Sequence, residues 1–160
     1  MSSFLIIGEC GVGKTWLMTK LLNESTYQSK KYRLIKFKLN DKGLAITGVY
    51  DKSIFQGSDR LAMNVSSDFE AFKKVCDLNK ITPIFEGDRF MNKNLVRVFN
   101  PFIIKITGSG EQGRLQRGTN QSTRQLKSIK TRVSNIKANI EFKNSTDAFL
   151  FLKKELKGLL

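Results

Sequence analysis

Short apolar runs alternate along the chain with stretches in which apolar residues recur every three or four positions. The runs are typical of buried strands, and the wider spacing is typical of helices that pack on a sheet. The predicted strands are residues 4–7, 32–39, 44–50, 81–85, 102–107 and 140–142. Residues 16–24, 92–99 and 126–136 are predicted helices. Two more helices are predicted: one begins at a capping box of Ser67 and Glu70 and continues through Cys76, and the other runs from about Ser145 to Leu159. This alternation predicts an α/β fold, a three-layer sandwich on a mostly parallel sheet, in a single domain of residues 1–160.

Turn and loop chemistry organises the rest of the chain. Residues 40–43, Asn-Asp-Lys-Gly, predict a turn that joins the strands on either side into a hairpin. Residues 26–31 are polar and predict a loop. The stretch 108–123 holds four glycines among polar residues, and together with the basic helix that follows it predicts a lid over about residues 108–132.

Composition narrows the chemistry. The 160 residues contain 28 Lys and Arg against 14 Asp and Glu, and the formal net charge of +14 favours polyanionic partners unless it serves solubility alone. Histidine is absent, which excludes Ser-His-Asp hydrolysis, Cys-His proteolysis and His-based zinc sites.

Cys10 and Cys76 match neither metal-ligand spacing nor a disulfide framework, which predicts a reducing compartment such as the cytoplasm. The apolar runs are too short for a membrane span, and no signal-peptide pattern opens the chain, so we expect neither membrane insertion nor secretion.

Residues 8–15 carry the strongest motif, G-x-x-x-x-G-K-T, between a predicted strand and a predicted helix. Its glycines allow backbone N–H groups to turn inward around phosphate oxygens, and the helix offers its positive N-terminus to the same anion. Lys14 is expected to reach the β and γ phosphates, and the hydroxyl of Thr15 is expected to ligate Mg²⁺. The alternative is a loop of the same form that binds nothing. The predicted nucleotide-binding residues are Gly8, Gly11, Val12, Gly13, Lys14 and Thr15.

Two carboxylates are predicted to follow strands at the sheet edge where this motif lies. Glu86 directly follows the strand at 81–85, and Asp51 follows the strand at 44–50. Ligands of open parallel sheets bind beyond the carboxyl ends of the strands, so both acids are expected to face the phosphates. Glu86 is then the second partner of Mg²⁺ or its waters, beside Thr15. The alternative for either acid is a solvated turn or a helix cap.

An acid–arginine pair occurs twice, as Asp59–Arg60 and as Asp88–Arg89. Each Asp is expected to orient an Arg whose guanidinium clamps a phosphate of the substrate; in the alternative, each pair only fixes a loop. The lid carries further cations that are expected to close over the phosphoryl group, unless they form a solvated basic helix face. These lid cations are Arg114, Arg117, Arg124, Lys127, Lys130 and Arg132.

The motifs together resemble the P-loop kinases of nucleosides, nucleotides and polynucleotides. Residues 86–89, E-G-D-R, resemble the Asp-Arg signature that follows the Walker B-like strand of thymidylate kinases. Over nearly the whole chain, the order of motifs is similar to that of the phage 5-hydroxymethyluracil DNA kinases, which phosphorylate the base hydroxymethyl group within DNA during hypermodification. The residues that carry this likeness are 48–51 (GVYD), 55–61 (FxGSDRL), 86–89 (EGDR), 114–127 (RxxRGxxQxxxxLK) and 130–136 (KTxVxNI).

The resemblance implies an ATP- and Mg²⁺-dependent kinase of 5-hydroxymethyluracil in DNA, encoded by a bacteriophage and active in the host cytoplasm. It implies that the acid ending the strand beside the motif strand is the general base, here Asp51, and that Arg117 or Arg124 is the lid arginine. Two other functions stay open: a kinase of free nucleosides or nucleotides, and a nucleotide switch that binds nucleic acid without transferring phosphate. The charge of +14 favours DNA as the acceptor, because a small-metabolite kinase needs cations only in its cleft.

Overall fold

The computed structural model describes residues 2–51, 56–108, 110–117 and 122–160, without the side chains of residues 112, 116 and 117. The motif positions Phe55, Gly118 and Gln121 and the side chain of Arg117 therefore lie outside the described residues. The strands of the described part are β1 (Phe4–Ile7), β2 (Tyr27–Tyr32), β3 (Ile35–Asn40), β4 (Leu44–Thr47), β5 (Thr82–Glu86), β6 (Phe102–Ile106) and β7 (Ile140–Phe142). Its helices are α1 (Lys14–Leu22), α2 (Phe69–Asn79), α3 (Lys93–Phe99), α4 (Glu111–Arg117), α5 (Thr123–Asn135) and α6 (Ser145–Glu155).

The described strands form one sheet in the order β2-β3-β4-β5-β1-β6-β7. The five strands from β4 to β7 in this order run parallel, and β3 and β2 are antiparallel additions at one side. In the register of β1, Ile6 lies opposite Glu86 of β5 and Ile104 of β6. β1 and β4 are buried on both faces, which explains their unbroken apolar runs. The carboxyl ends of the parallel strands therefore meet at one edge of the sheet.

Helices cover both faces of this sheet. On one face α1 and α6 contribute Leu17 and Leu152 to a buried cluster. On the other face α2, α3 and α5 contribute Phe72, Phe99 and Val133 to a second cluster. This confirms the predicted α/β fold with a mostly parallel sheet, and it is compatible with a three-layer sandwich. Within the described residues, no helix is both long enough and apolar enough to cross a membrane.

The edge strand β2 corrects the prediction for residues 26–31. The polar pattern predicts a loop, but Tyr27–Tyr32 pair with β3 along their whole length. β2 is the outermost strand and its side chains are mostly exposed, so no alternation of apolar residues marks it. The strand predicted at 32–39 accordingly begins at Ile35, after a turn in which Arg33 has a φ of 52°. The antiparallel register of β3 and β4 confirms the predicted hairpin.

The start of α2 differs from the predicted capping box of Ser67 and Glu70. The Ser67 hydroxyl donates to a carbonyl three residues back at 2.9 Å, and a 3-10 turn at Val65–Asp68 precedes the helix. The carboxylate of Asp68 accepts the backbone N–H of Leu34 at 3.0 Å. Asp68 therefore fixes the turn between β2 and β3, a contact between segments distant in the sequence.

Candidate functional site

The loop of residues 8–13 joins β1 to α1 at the carboxyl edge of the sheet. Gly13 is the N-cap of α1 and has a φ of 102°, a left-handed conformation that glycine adopts without strain. Gly8 has no room for a side chain, because a Cβ there would lie 2.8 Å from the carbonyl oxygen of Ile106. The loop thus needs these glycines, and it ends at a helix N-terminus, where unpaired amides favour an anion.

Lys14 folds back over this loop. Its ammonium donates to the carbonyl oxygen of Gly8 at 2.7 Å and to that of Glu9 at 2.8 Å, and the residue is only 9% exposed. Thr15 follows in the first turn of α1 and is partly buried. The fold therefore holds a positive charge and a hydroxyl side by side at the start of the helix.

A cleft of about 930 Å³ opens at this edge of the sheet. It brings together residues of the loop and α1, of the segment around a 3-10 turn at Ser58–Arg60, and of the segment that follows β5. Gly8 supports the lining through its carbonyl contact with Lys14. The predicted site residues in the lining are Gly11, Val12, Gly13, Lys14, Thr15, Asp59, Arg60, Glu86, Asp88 and Arg89.

Glu86 ends β5, the strand next to β1, and is 2% exposed. The hydroxyl of Tyr50 donates to Glu86 Oε1 at 2.9 Å. The pKa of Tyr50 is raised well above its ordinary value of 10.0, mainly because the hydroxyl is buried. The charge of Glu86, this hydrogen bond and the charge of Asp59 raise it further, in that order. Tyr50 therefore stays a neutral donor that orients the carboxylate in the cleft. Sequence analysis missed Tyr50, for which the available signal was its position one residue before Asp51.

Replacing Tyr50 with phenylalanine removes this hydrogen bond and keeps the ring. We expect the free energy of unfolding at neutral pH to fall by about 1–3 kcal/mol, because the acceptor is a buried carboxylate. The raised pKa means that the hydroxyl stabilises the fold fully below about pH 10 and loses this effect as the pH rises above that value. Urea unfolding should therefore show a stability difference between wild type and Tyr50→Phe that is constant near neutrality and shrinks above about pH 10. A difference that stays constant through the alkaline range would contradict the assignment.

Asp51 is exposed and lies beyond the end of β4, where it accepts a hydrogen bond from Arg60 Nη1 at 2.7 Å. The structure thus describes an ion pair of Arg60 with Asp51, and the pairing of Arg60 with Asp59 stays a prediction. The expectation that Asp51 follows the strand beside β1 is wrong. The chain returns through α2 and inserts β5 between β4 and β1, so the acid that ends the neighbouring strand is Glu86. Asp51 is also absent from the cleft lining, and its role as a base stays a prediction.

The second acid–arginine pair is present as predicted. Asp88 Oδ2 lies 3.3 Å from Arg89 Nη1. Asp88 also forms an ion pair with Arg132 of α5, a partner that the sequence analysis placed only within the basic run. Arg89 Nε donates further to the carbonyl of Leu61 at 3.4 Å. Asp88 therefore ties α5 to the segment after β5, and both line the cleft.

The predicted lid contains the helix α4, an element that the sequence analysis did not predict. Arg114 Nη1 donates to the carbonyl of Cys10 at 2.8 Å. A side chain at Gly113 would collide with the carbonyl oxygen of Gly11, so the two backbones are in close contact. α4 therefore rests directly on the tip of the loop of residues 8–13, and glycines on both sides allow this approach.

Of Arg117 and Arg124, either of which the resemblance implies as the lid arginine, the structure describes only the side chain of Arg124. Arg124 is exposed at the start of α5 and absent from the cleft lining. The side chain of Arg117 lies outside the described residues. The lining instead includes residues for which no motif gives a signal, contributed by α1, α5 and the start of α6. These are Trp16, Gln125, Ile129, Ser145 and Thr146.

The oxygen ligands predicted for a metal ion are one hydroxyl and one carboxylate. Thr15 and Glu86 both line the cleft. In the described part of the chain, no three or more Cys, Asp or Glu residues are grouped so that they hold a metal ion. A pair of protein oxygens suits Mg²⁺, which keeps several waters and takes its other ligands from substrate phosphates.

Comparison with known proteins gives this site no family. A search against protein-family models found none that matches the chain, and a search of curated proteins found no match either.

Proposed function

We propose that the protein is an ATP- and Mg²⁺-dependent phosphotransferase that phosphorylates the hydroxymethyl group of 5-hydroxymethyluracil in DNA, on a P-loop kinase fold with a basic lid. One observation carries the proposal. The G-x-x-x-x-G-K-T loop, Glu86, Arg60 and Arg89 meet in a single cleft at the carboxyl edge of the sheet. Phosphoryl transfer needs this combination: amides and a lysine for phosphates, oxygens for Mg²⁺ and cations for the charge that develops.

The cleft fits a nucleoside triphosphate. Its volume of about 930 Å³ lies within the range of small-molecule sites, and the amides at the N-terminus of α1 favour an anion. The residues that would hold the triphosphate are those of the loop with Lys14, and Thr15 with Glu86 would hold the metal ion. When bound, Mg²⁺·ATP supplies the transferable phosphoryl group and an additional positive charge.

The chain's own residues then act through position and charge. Lys14, Arg60 and Arg89 neutralise the charge that accumulates on the phosphoryl oxygens. Asp51 orients the acceptor hydroxyl and takes its proton, a role open to a carboxylate because loose phosphoryl-transfer transition states demand little activation of the nucleophile. Arg117 or Arg124 acts from the lid, and Arg114 joins α4 to the loop through Cys10.

Asparagine substitutions distinguish the roles of two carboxylates near Arg60. Asp51 forms an ion pair with Arg60, and Asp59 precedes Arg60 in the sequence. Asp51→Asn is expected to lower kcat by about 10²-fold or more and to keep the KM for ATP, because the acceptor hydroxyl loses its base. Asp59→Asn makes the same change of charge in the cleft lining and is expected to raise mainly the KM for the acceptor. Steady-state kinetics check both. If Asp51→Asn is fully active and Asp59→Asn carries the loss of kcat, the base is Asp59 and the assignment fails.

An acceptor comparison tests the function. Wild-type protein with Mg²⁺ and ATP labelled at the γ-phosphate is incubated with DNA that contains 5-hydroxymethyluracil, with the same DNA containing thymine, and with the free mononucleotide of 5-hydroxymethyluracil. Label in the modified DNA, and none in the thymine DNA, is the expected result. Label in the mononucleotide alone would establish a nucleotide kinase, and phosphate release without any labelled acceptor would favour a nucleotide switch.

A further inference from the structure

One face of the β2–β3 hairpin carries a group of cations that the cleft does not use. The register pairs Lys31 of β2 directly with Lys36 of β3, and Lys38 lies on the same face two residues further along β3. Lys31 and Lys36 are exposed, and Lys38 is half-buried and donates to the hydroxyl of Ser29 at 3.0 Å. We call Lys31, Lys36 and Lys38 the lysine face.

The lysine face has a like-charge cross-strand pair at its centre. Like charges directly opposite each other destabilise a sheet, and nothing in the hairpin offsets them. Residues 25–40 contain no Asp or Glu, and no ion pair involving these three lysines occurs among the described residues. A bound polyanion would remove this repulsion, so the arrangement favours a partner that is itself a row of negative charges.

At Lys36 the lysine face reaches the edge of the sheet where the cleft lies, while Lys38 lies opposite Ile46 within β4. The carbonyl of Lys36 accepts the backbone N–H of Gly48, the residue that follows β4. A side chain at Gly48 would collide with the backbone of Gly57, and one at Gly57 would collide with the carboxylate of Glu86, so these residues are closely packed. β2 is four strand spacings from β1 in the sheet, roughly 19 Å at about 4.8 Å each, so one extended ligand is long enough to reach both.

The tip of the hairpin is fixed. Asp68 accepts the backbone N–H of Leu34 at 3.0 Å and lies 3.6 Å from the guanidinium of Arg33. Lys36 and Lys38 are two residues apart on this strand, so their Cα atoms lie about 6.8 Å apart. This spacing equals about two steps of the 3.4 Å rise of a DNA strand. The hairpin residues of this face include no exposed apolar side chain for insertion into a bilayer, which favours nucleic acid over a lipid surface.

We propose that the lysine face binds the phosphate backbone of the nucleic acid whose base enters the cleft. This inference rests on the proposed function, because it names the surface that holds the DNA acceptor. The lysines touch no reacting atom. They position a polymeric acceptor, and a free mononucleotide is too short to use them.

The test is a triple substitution, Lys31→Gln with Lys36→Gln and Lys38→Gln. A matched control removes three exposed lysines elsewhere: Lys74→Gln on α2, Lys154→Gln near the end of α6 and Lys157→Gln in the turn that follows α6. Both variants lose the same charge, so a difference between them reports location. The lysine-face variant should keep the wild-type melting temperature or exceed it, since it loses the repulsive pair.

Fluorescence anisotropy with a labelled DNA duplex measures binding without catalysis. The lysine-face variant should bind about tenfold more weakly than the control at low salt. Its slope of log K against log salt concentration should be smaller in magnitude by about 2.7, since each lost phosphate contact removes about 0.9. Equal affinities and equal slopes for the two variants would overturn the inference. So would binding to phosphatidylserine vesicles that depends on the lysine face while duplex binding does not.

Kinetics separate failure of this inference from failure of the proposed function. In the lysine-face variant we expect the KM for modified DNA to rise about tenfold, in step with the weaker binding, with the KM for ATP unchanged. If wild-type protein phosphorylates DNA and the lysine-face variant has an unchanged KM for DNA, only the role proposed for the lysine face is overturned. A wild-type protein that labels no acceptor would overturn the proposed function, while the duplex-binding comparison would still decide whether the lysine face binds nucleic acid.

Discussion

Lys14→Ala should abolish phosphoryl transfer, with a loss of about 10³-fold or more in the rate. The fold holds this ammonium inside the loop of residues 8–13, where it donates to the carbonyls of Gly8 and Glu9 and is largely shielded from water. A charge in such surroundings acts on phosphoryl oxygens through a lower dielectric than that of bulk water. Single-turnover transfer from labelled ATP measures the loss.

Folding must be followed in the same experiment, because the substitution removes both hydrogen bonds to the loop. Lys14→Met keeps the aliphatic stem, and it should fold and remain inactive. Lys74→Ala, an exposed lysine of α2, is the matched control and should transfer at the wild-type rate. A folded Lys14→Ala or Lys14→Met protein with wild-type transfer would contradict the role given to the loop.

Glu86→Gln is expected to lower transfer by about 10²-fold and to shift the Mg²⁺ dependence to higher concentrations. The amide keeps the shape of the side chain and an oxygen that accepts from Tyr50, but it removes the negative charge that favours the metal ion. A titration of transfer rate against Mg²⁺ concentration separates the two effects.

Glu155→Gln makes the same chemical change at an exposed position of α6 and serves as the control. It should leave both the rate and the Mg²⁺ dependence unchanged. If Glu86→Gln matches this control, Glu86 acts only as the buried acceptor of the Tyr50 hydroxyl, and the metal ion is bound by other groups.

The central strands were predictable because burial on both faces leaves a plain signal. Phe4–Ile7 is apolar throughout and matches β1 residue for residue. β2 left no such signal, since an edge strand needs no apolar alternation. The capping box at Ser67 failed for a related reason: the neighbouring Asp68 binds the β2–β3 turn, a contact that local sequence does not encode.

The site follows the same division between local and distant contacts. The motif loop and the strand-end position of Glu86 are local features, and the structure brings both into the cleft. Arg114 reaches Cys10 across 104 residues, and Tyr50 reaches Glu86 across 36. Contacts between residues so far apart in the sequence depend on strand order and helix placement. Motif spacing therefore identifies one residue of each pair but not its partner.

The most direct measurement for the central claim is a crystal structure of the protein with Mg²⁺ and a non-hydrolysable ATP analogue. We expect a triphosphate enclosed by the amides of residues 11–15, with the ammonium of Lys14 on its terminal phosphates and Mg²⁺ between these phosphates and the side chains of Thr15 and Glu86. A nucleotide bound elsewhere on the protein, with the loop and Glu86 untouched, would contradict it.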